Sequence, residues 1–139
     1  MVYVILQFLL LIYFILNISI ADWSLFSSML MAVGGLMGIF AIRTIGFSNL
    51  SVFPHVKKKA ALIMTGPYRI IRHPMYTSLL LGVGAVVISQ PEWHLIIAGL
   101  FLIMVLVLKL RYEERKLAEA FPEYEAYKKT TYRLIPFIY

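Results

Sequence analysis

The sequence predicts an all-α fold: a polytopic membrane helical bundle of about four transmembrane helices, with a cytoplasmic C-terminal helix. Three observations carry this expectation. Of the 139 residues, 61% are hydrophobic and the mean hydropathy is +0.84, more apolar surface than a soluble domain of this length can hide. The apolar residues gather into separate runs long enough to be read as membrane spans. All 13 Lys and Arg fall in two zones, residues 43–72 and 109–133.

The first run, residues 2–20, is apolar apart from Gln7, Asn17, Ser19 and tyrosine. It lacks a basic leading region and a small-residue cleavage site, so it reads as a retained helix rather than a signal peptide. Residues 25–42 carry no charge and include Gly34 and Gly38, a GxxxG spacing that suits close helix packing. Residues 76–89 are uncharged but short, with a start at Pro74, and call for a tilt or a locally thin bilayer. Residues 93–108 are apolar after His94. Between the last two runs, Ser89-Gln90-Pro91-Glu92 reads as a tight turn with Pro91 in the first helical turn, so these runs form an antiparallel hairpin.

Charge placement sets the expected topology. The connection between the first two runs has only Asp22, and the last turn only Glu92 and His94. The positive-inside rule then puts both basic zones and both termini in the cytoplasm. Residues 48–64 read as an interfacial loop, with Lys57, Lys58 and Lys59 facing headgroups. The net charge of +6 implies contact with anionic lipid headgroups and not nucleic acid, since no soluble domain remains to present a basic face. The absence of cysteine excludes a disulfide framework, a thiolate metal site and a cysteine nucleophile. No repeat interrupts the chain, which reads as a single domain over residues 1–139. The GxxxG serves internal packing or a homo-oligomer equally well.

The chemistry concentrates in residues 65–76, TGPYRIIRHPMY. Polar groups at the mouth of a membrane bundle are costly and usually bind or catalyse something. Gly66-Pro67 is a turn signal. His73-Pro74 suits a helix start, with His73 near the N-cap and Pro74 at the first helical position. Free N–H groups there would favour an anion. Arg69, Arg72 and His73 add donors, and Tyr68 and Tyr76 add ring faces that attract a cation. Headgroup snorkelling of the arginines, a capping role for His73 and an aromatic-belt role for Tyr76 are the plainer readings.

Further on, the fourth run continues as a helix. At about 100° per residue, Leu110, Leu117 and Phe121 share one apolar stripe. Glu113 and Glu114 fall on either side of it, while Arg111, Tyr112, Arg115, Lys116 and Glu119 fall on the opposite half. The two glutamates are thus expected to face the bundle, with Lys109 in i, i+4 reach of Glu113. Carboxylate donors, an acidic pair and aromatic faces together match the groups of S-adenosylmethionine.

These two blocks, GPYRIIRHPMY and YEERKLAEAFPEYEAYKKTTYRLIP, resemble the isoprenylcysteine carboxyl methyltransferase and phospholipid methyltransferase superfamily. The resemblance covers about residues 52–136 and implies an integral-membrane methyltransferase that uses S-adenosyl-L-methionine on a lipid or lipid-like acceptor: a carboxylate, amine or thiol. It implies cofactor contacts at Ala60, Ala61, Leu62, Ile63, Tyr68, His73, Pro74, Met75, Tyr76 and Glu113. Arg72, His73 and Glu114 are the candidate catalytic residues, and His73 or Glu114 can take the proton of an amine acceptor. Lys109 stands where the family often has an arginine near the acceptor, which weakens bidentate recognition of a carboxylate. No metal is implied. Two other readings compete: an NADPH-dependent membrane reductase of the sterol reductase type, and a non-catalytic lipid-binding membrane protein.

Overall fold

The computed structural model describes residues 2–19, 23–49 and 61–138. Asp22, Lys57, Lys58, Lys59 and Ala60 lie outside the described residues. Within them the fold is all-helical. The helices are α1 (Val2–Leu16), α2 (Leu25–Asn49), α3 (Pro74–Ser89), α4 (Trp93–Ala120) and α5 (Tyr124–Thr130), with a 3₁₀ turn at Gly66–Arg69.

Two helices are long and apolar enough to cross a membrane, Leu25–Gly46 within α2 and Trp93–Ala120, which is α4. The expectation of four spans is met by length at these two only. At about 1.5 Å per residue, α1 and α3 are apolar but reach roughly 22–24 Å, short of a hydrocarbon core of about 30 Å. Helix α1 stops at Leu16 because Asn17 turns back, its side-chain amide donating to the Tyr13 carbonyl. Helix α2 runs past the expected loop start at Ser48 and breaks locally at Gly46, whose φ of 71° suits glycine. Pro91 lies before α4 rather than in its first turn, since Glu92 is the N-cap. Many large apolar side chains of α1, α2 and α4 face outward, among them Ile5, Leu9, Leu25, Leu36, Leu100 and Met104. On a helix set of this hydropathy, such an outer face suits lipid.

The helices pair antiparallel, α1 along α4 and α2 along α3, with α3 and α4 forming the expected hairpin. The core is built from Phe14, Tyr76, Val83, Val86, Leu95, Leu102, Leu106 and Leu110. At one end of the bundle polar ties close the structure. Tyr13 Oη pairs with His94 Nδ1 at 2.7 Å, His94 Nε2 with Glu92 at 2.6 Å, and Gln90 donates to the Ser19 carbonyl at 2.7 Å. The opposite end carries Arg72, Lys109 and Arg133.

The GxxxG glycines face α3, so they serve internal packing. A Cβ on Gly34 would come within 3.0 Å of Leu81 Cβ and 3.1 Å of the Ser78 carbonyl oxygen. One on Gly38 would meet Ser78 Oγ at 2.6 Å, and that hydroxyl donates to the Gly34 carbonyl. Gly35, next in sequence, has nothing within 4 Å of such a Cβ. Gly34→Ala is therefore expected to cost about 1–3 kcal/mol by overpacking. Gly35→Ala should be neutral or slightly stabilising, since alanine is the better helix former. Thermal unfolding of both variants in detergent checks this, and equal behaviour would refute the packing assignment.

Candidate functional site

The chain enters the site through the 3₁₀ turn. Gly66 has φ 56° and lies so close to Thr44 of α2 that a Cβ would meet Thr44 Oγ1 at 2.8 Å. Tyr68 then points inward and is buried, and its carbonyl accepts the Tyr127 hydroxyl at 2.5 Å. Burial pushes both phenols up to about 12. Tyr127→Phe removes the donor to a buried carbonyl and is expected to cost about 1–3 kcal/mol, read from thermal unfolding.

Next the C-terminal segment docks as a short parallel bridge, Ile71 against Tyr132. Arg72 N–H donates to the Tyr132 carbonyl at 2.7 Å, His73 N–H to the Arg133 carbonyl at 3.1 Å, and Tyr132 N–H to the Ile70 carbonyl at 2.9 Å. Thr77 Oγ1 adds a bond to the Leu134 carbonyl at 2.7 Å. As expected, His73 is the N-cap of α3 and Pro74 opens it, but the His73 side chain makes no capping bond. The expectation of a helix start open to an anion is not met at most of its positions. His73 N–H is taken by Arg133, Pro74 has none, and the Tyr76 and Thr77 N–H groups bond the His73 carbonyl.

The His73 ring instead turns toward α4 and lies between the two glutamates. Its Nδ1 is 3.9 Å from Glu113 Oε2, and its Nε2 is 3.6 Å from Glu114 Oε1. It stacks on the Tyr76 ring, with centroids 5.4 Å apart and planes 3° apart. Its Nε2 is buried with no hydrogen-bond partner. Trp23 Nε1 and Tyr124 Oη are buried in the same way, and Nε2 faces Glu114 just beyond hydrogen-bond distance.

Both glutamates face the bundle, as the helical projection predicts, but their surroundings differ. Glu114 is clamped: Oε1 accepts Arg72 Nε at 2.8 Å and Oε2 accepts Arg133 Nε at 2.9 Å. Arg72 is committed to this clamp through Nε and Nη1. Its Nη1 also donates to the Lys128 and Thr131 carbonyls and to Thr131 Oγ1. Glu113 is more open, its side chain 18% exposed, and both of its oxygens share the Tyr76 hydroxyl at 2.7 Å. Lys109 is buried. Its Nζ donates to Gln7 Oε1 at 2.9 Å, lies 5.0 Å from the Tyr76 ring centroid and stays 3.9 Å from Glu113 Oε1.

The structure thus brings Tyr76, His73, Arg72, Lys109, Glu113 and Glu114 into one cluster. Pro74 is buried at its edge, and Met75 is partly buried. Ala61 is exposed and Leu62 and Ile63 are partly buried in the irregular stretch before the 3₁₀ turn. Arg69 and Arg111 are exposed. Sequence reasoning missed Gln7 and Arg133 as members of the site. The one available signal for Gln7 was its place as a polar residue inside an apolar run.

Similarity to known proteins fits this cluster. The phospholipid methyltransferase family matches residues 23–124, which include every clustered residue except Gln7 and Arg133. Cobalt-zinc-cadmium resistance protein CzcN of Cupriavidus metallidurans is 29% identical over 103 residues, 73% of this chain and 47% of that protein. Nickel-cobalt-cadmium resistance protein NccN of Alcaligenes xylosoxydans xylosoxydans is 27% identical over 103 residues, 73% of this chain and 48% of that protein. The chain spans about half the length of these curated relatives. With most of its residues matched, from before α2 to the start of α5, the chain belongs to the phospholipid methyltransferase family.

Proposed function

We propose that this chain is an S-adenosylmethionine-dependent methyltransferase acting on a lipid-soluble acceptor. The observation that carries the reading is the contrast at the glutamate pair. Glu114 is saturated by two guanidiniums, while Glu113 keeps an exposed edge beside the stacked His73 and Tyr76 rings. Such a donor set fits the cofactor: a carboxylate with an exposed edge for an ammonium, set beside aromatic rings.

In this reading Glu113 holds the cofactor's ammonium and Tyr76 fixes the Glu113 carboxylate. Tyr68, Pro74, Met75, Leu62, Ile63 and Ala61 line the cofactor side, with Ala60 expected beside them. When bound, the cofactor supplies an electrophilic methyl group on a sulfonium. Lys109 borders the acceptor side. A carboxylate acceptor needs no base. An amine acceptor must lose a proton, which in this reading His73 takes directly or through water. Glu114 is the poorer base, because a proton on either oxygen would displace a guanidinium. Arg72 and Glu114 then act by holding the C-terminal segment against the start of α3. The chief catalytic effect is alignment of two reactants away from water, worth up to ~7–11 kcal/mol in the best cases.

We place the Arg72–Lys109 end of the bundle at the cytoplasmic face by the positive-inside rule, with a multi-pass topology and both termini inside. The metal resistance in the relatives' names is said of those proteins. Among the described residues of this chain, no group of three or more His, Asp or Glu side chains is placed to hold a metal ion.

The test is a calorimetric titration of the purified chain with S-adenosylhomocysteine and, in parallel, NADPH. Binding of the first and not the second is expected. The reverse result would favour a reductase, and binding of neither would favour a non-catalytic lipid-binding protein.

A further inference from the structure

Lys109 and Glu113 stand i, i+4 on α4, a spacing at which ion pairs normally close. Elsewhere in this chain pairs three residues apart do close, Lys116 to Glu119 at 2.7 Å and Lys128 to Glu125 at 2.9 Å. Lys109 and Glu113 pair only at 3.9 Å, although Lys109 is buried, where an unscreened attraction should draw them closer. The Lys109 ammonium instead donates to the side-chain oxygen of Gln7, a buried polar residue of the otherwise apolar α1. An ammonium can only donate, so the amide must present its oxygen. Glu113 in turn takes its hydrogen bond from the Tyr76 hydroxyl and keeps an exposed edge.

We infer that Gln7 is a positioning residue that holds the Lys109 ammonium off Glu113 and so keeps that carboxylate open to the ammonium of a ligand. This rests on the proposed role of Glu113. It makes α1, which lies outside the family match, part of the site. Without Gln7, the nearest acceptor for the buried ammonium is Glu113 itself. A contact pair would then form, and any ligand cation would have to displace it.

The test is the dissociation constant of S-adenosylhomocysteine, which carries the cofactor's amino-acid ammonium. It is measured by calorimetry on the full chain in detergent. Gln7→Leu is expected to weaken binding about tenfold. Adding Lys109→Met to Gln7→Leu removes the competing cation and should restore binding to within about twofold of the unmodified chain. Gln7→Glu, which draws the ammonium further from Glu113, should bind at least as tightly as the unmodified chain. Undiminished binding in Gln7→Leu would overturn the inference alone. So would a double variant as weak as Gln7→Leu, which would mean that Gln7 acts through packing. A Gln7→Glu variant weaker than the unmodified chain would also overturn it, and this variant keeps the test decisive if Gln7→Leu does not fold. Absence of binding in the unmodified chain would instead remove the cofactor assignment on which the inference stands.

Discussion

Glu113→Ala should weaken S-adenosylhomocysteine binding by about 100-fold, some 2.7 kcal/mol, and cost less thermal stability than Glu114→Ala. The carboxylate is partly exposed and its ion pairs with Lys109 and His73 are both long, at 3.9 Å, so the folded state depends on it less than on Glu114. Its loss leaves the buried Tyr76 hydroxyl without its acceptor, a cost of about 1–3 kcal/mol. His73→Ala should also lose binding, since it removes the ring stacked on Tyr76. The neighbouring change should behave in the opposite way. Glu114→Ala strips a buried carboxylate from between Arg72 and Arg133, so it should appear first as a loss of stability. Calorimetry and thermal unfolding on the same preparations separate the two effects. Equal binding losses at constant stability in both variants would contradict the division of roles.

Arg72→Ala is the substitution expected to cost most in stability, about 3–5 kcal/mol. Its guanidinium is buried and joins three parts of the chain: the strand-like stretch before α3, Glu114 on α4 and the end of α5. Removal leaves Glu114 half paired and the Lys128 and Thr131 carbonyls without their donor. Arg72→Lys should recover only part of the loss. One ammonium cannot reproduce contacts that leave the guanidinium from both Nε and Nη1. A thermal shift no larger than that of an exposed site such as Arg111→Ala would refute the clamp.

How much of this was legible beforehand follows from the range of each interaction. Hydropathy showed where apolar helices lie, and His73-Pro74 marked the start of α3, because both signals are local. The 3.6-residue period turned Glu113 and Glu114 inward, since α4 is one continuous helix from Trp93 to Ala120. Periodicity could not tell the two glutamates apart. What separates them is Arg133, which arrives through a bridge between residues 71 and 132 with no pattern in either segment. Gln7 and Lys109 are likewise 102 positions apart, and a single glutamine in an apolar run does not name its partner. Span count is met by length at two helices only, for another reason. Apolar composition sets a run's outer limits, but Asn17 ends α1 by hydrogen bonding back to Tyr13 while the apolar run still continues. The GxxxG left its partner open, and the close approach of Gly34 and Gly38 to α3 assigns it to internal packing.

The proposed methyl transfer to a lipid runs from a site built on Glu113, His73 and Tyr76. Its most direct measurement is incubation of membranes containing the chain with methyl-labelled S-adenosylmethionine, followed by extraction and identification of labelled lipid. The account predicts label in a lipid fraction, lost in Glu113→Ala and retained in Gly35→Ala. No lipid label, or label that persists in Glu113→Ala, would contradict it.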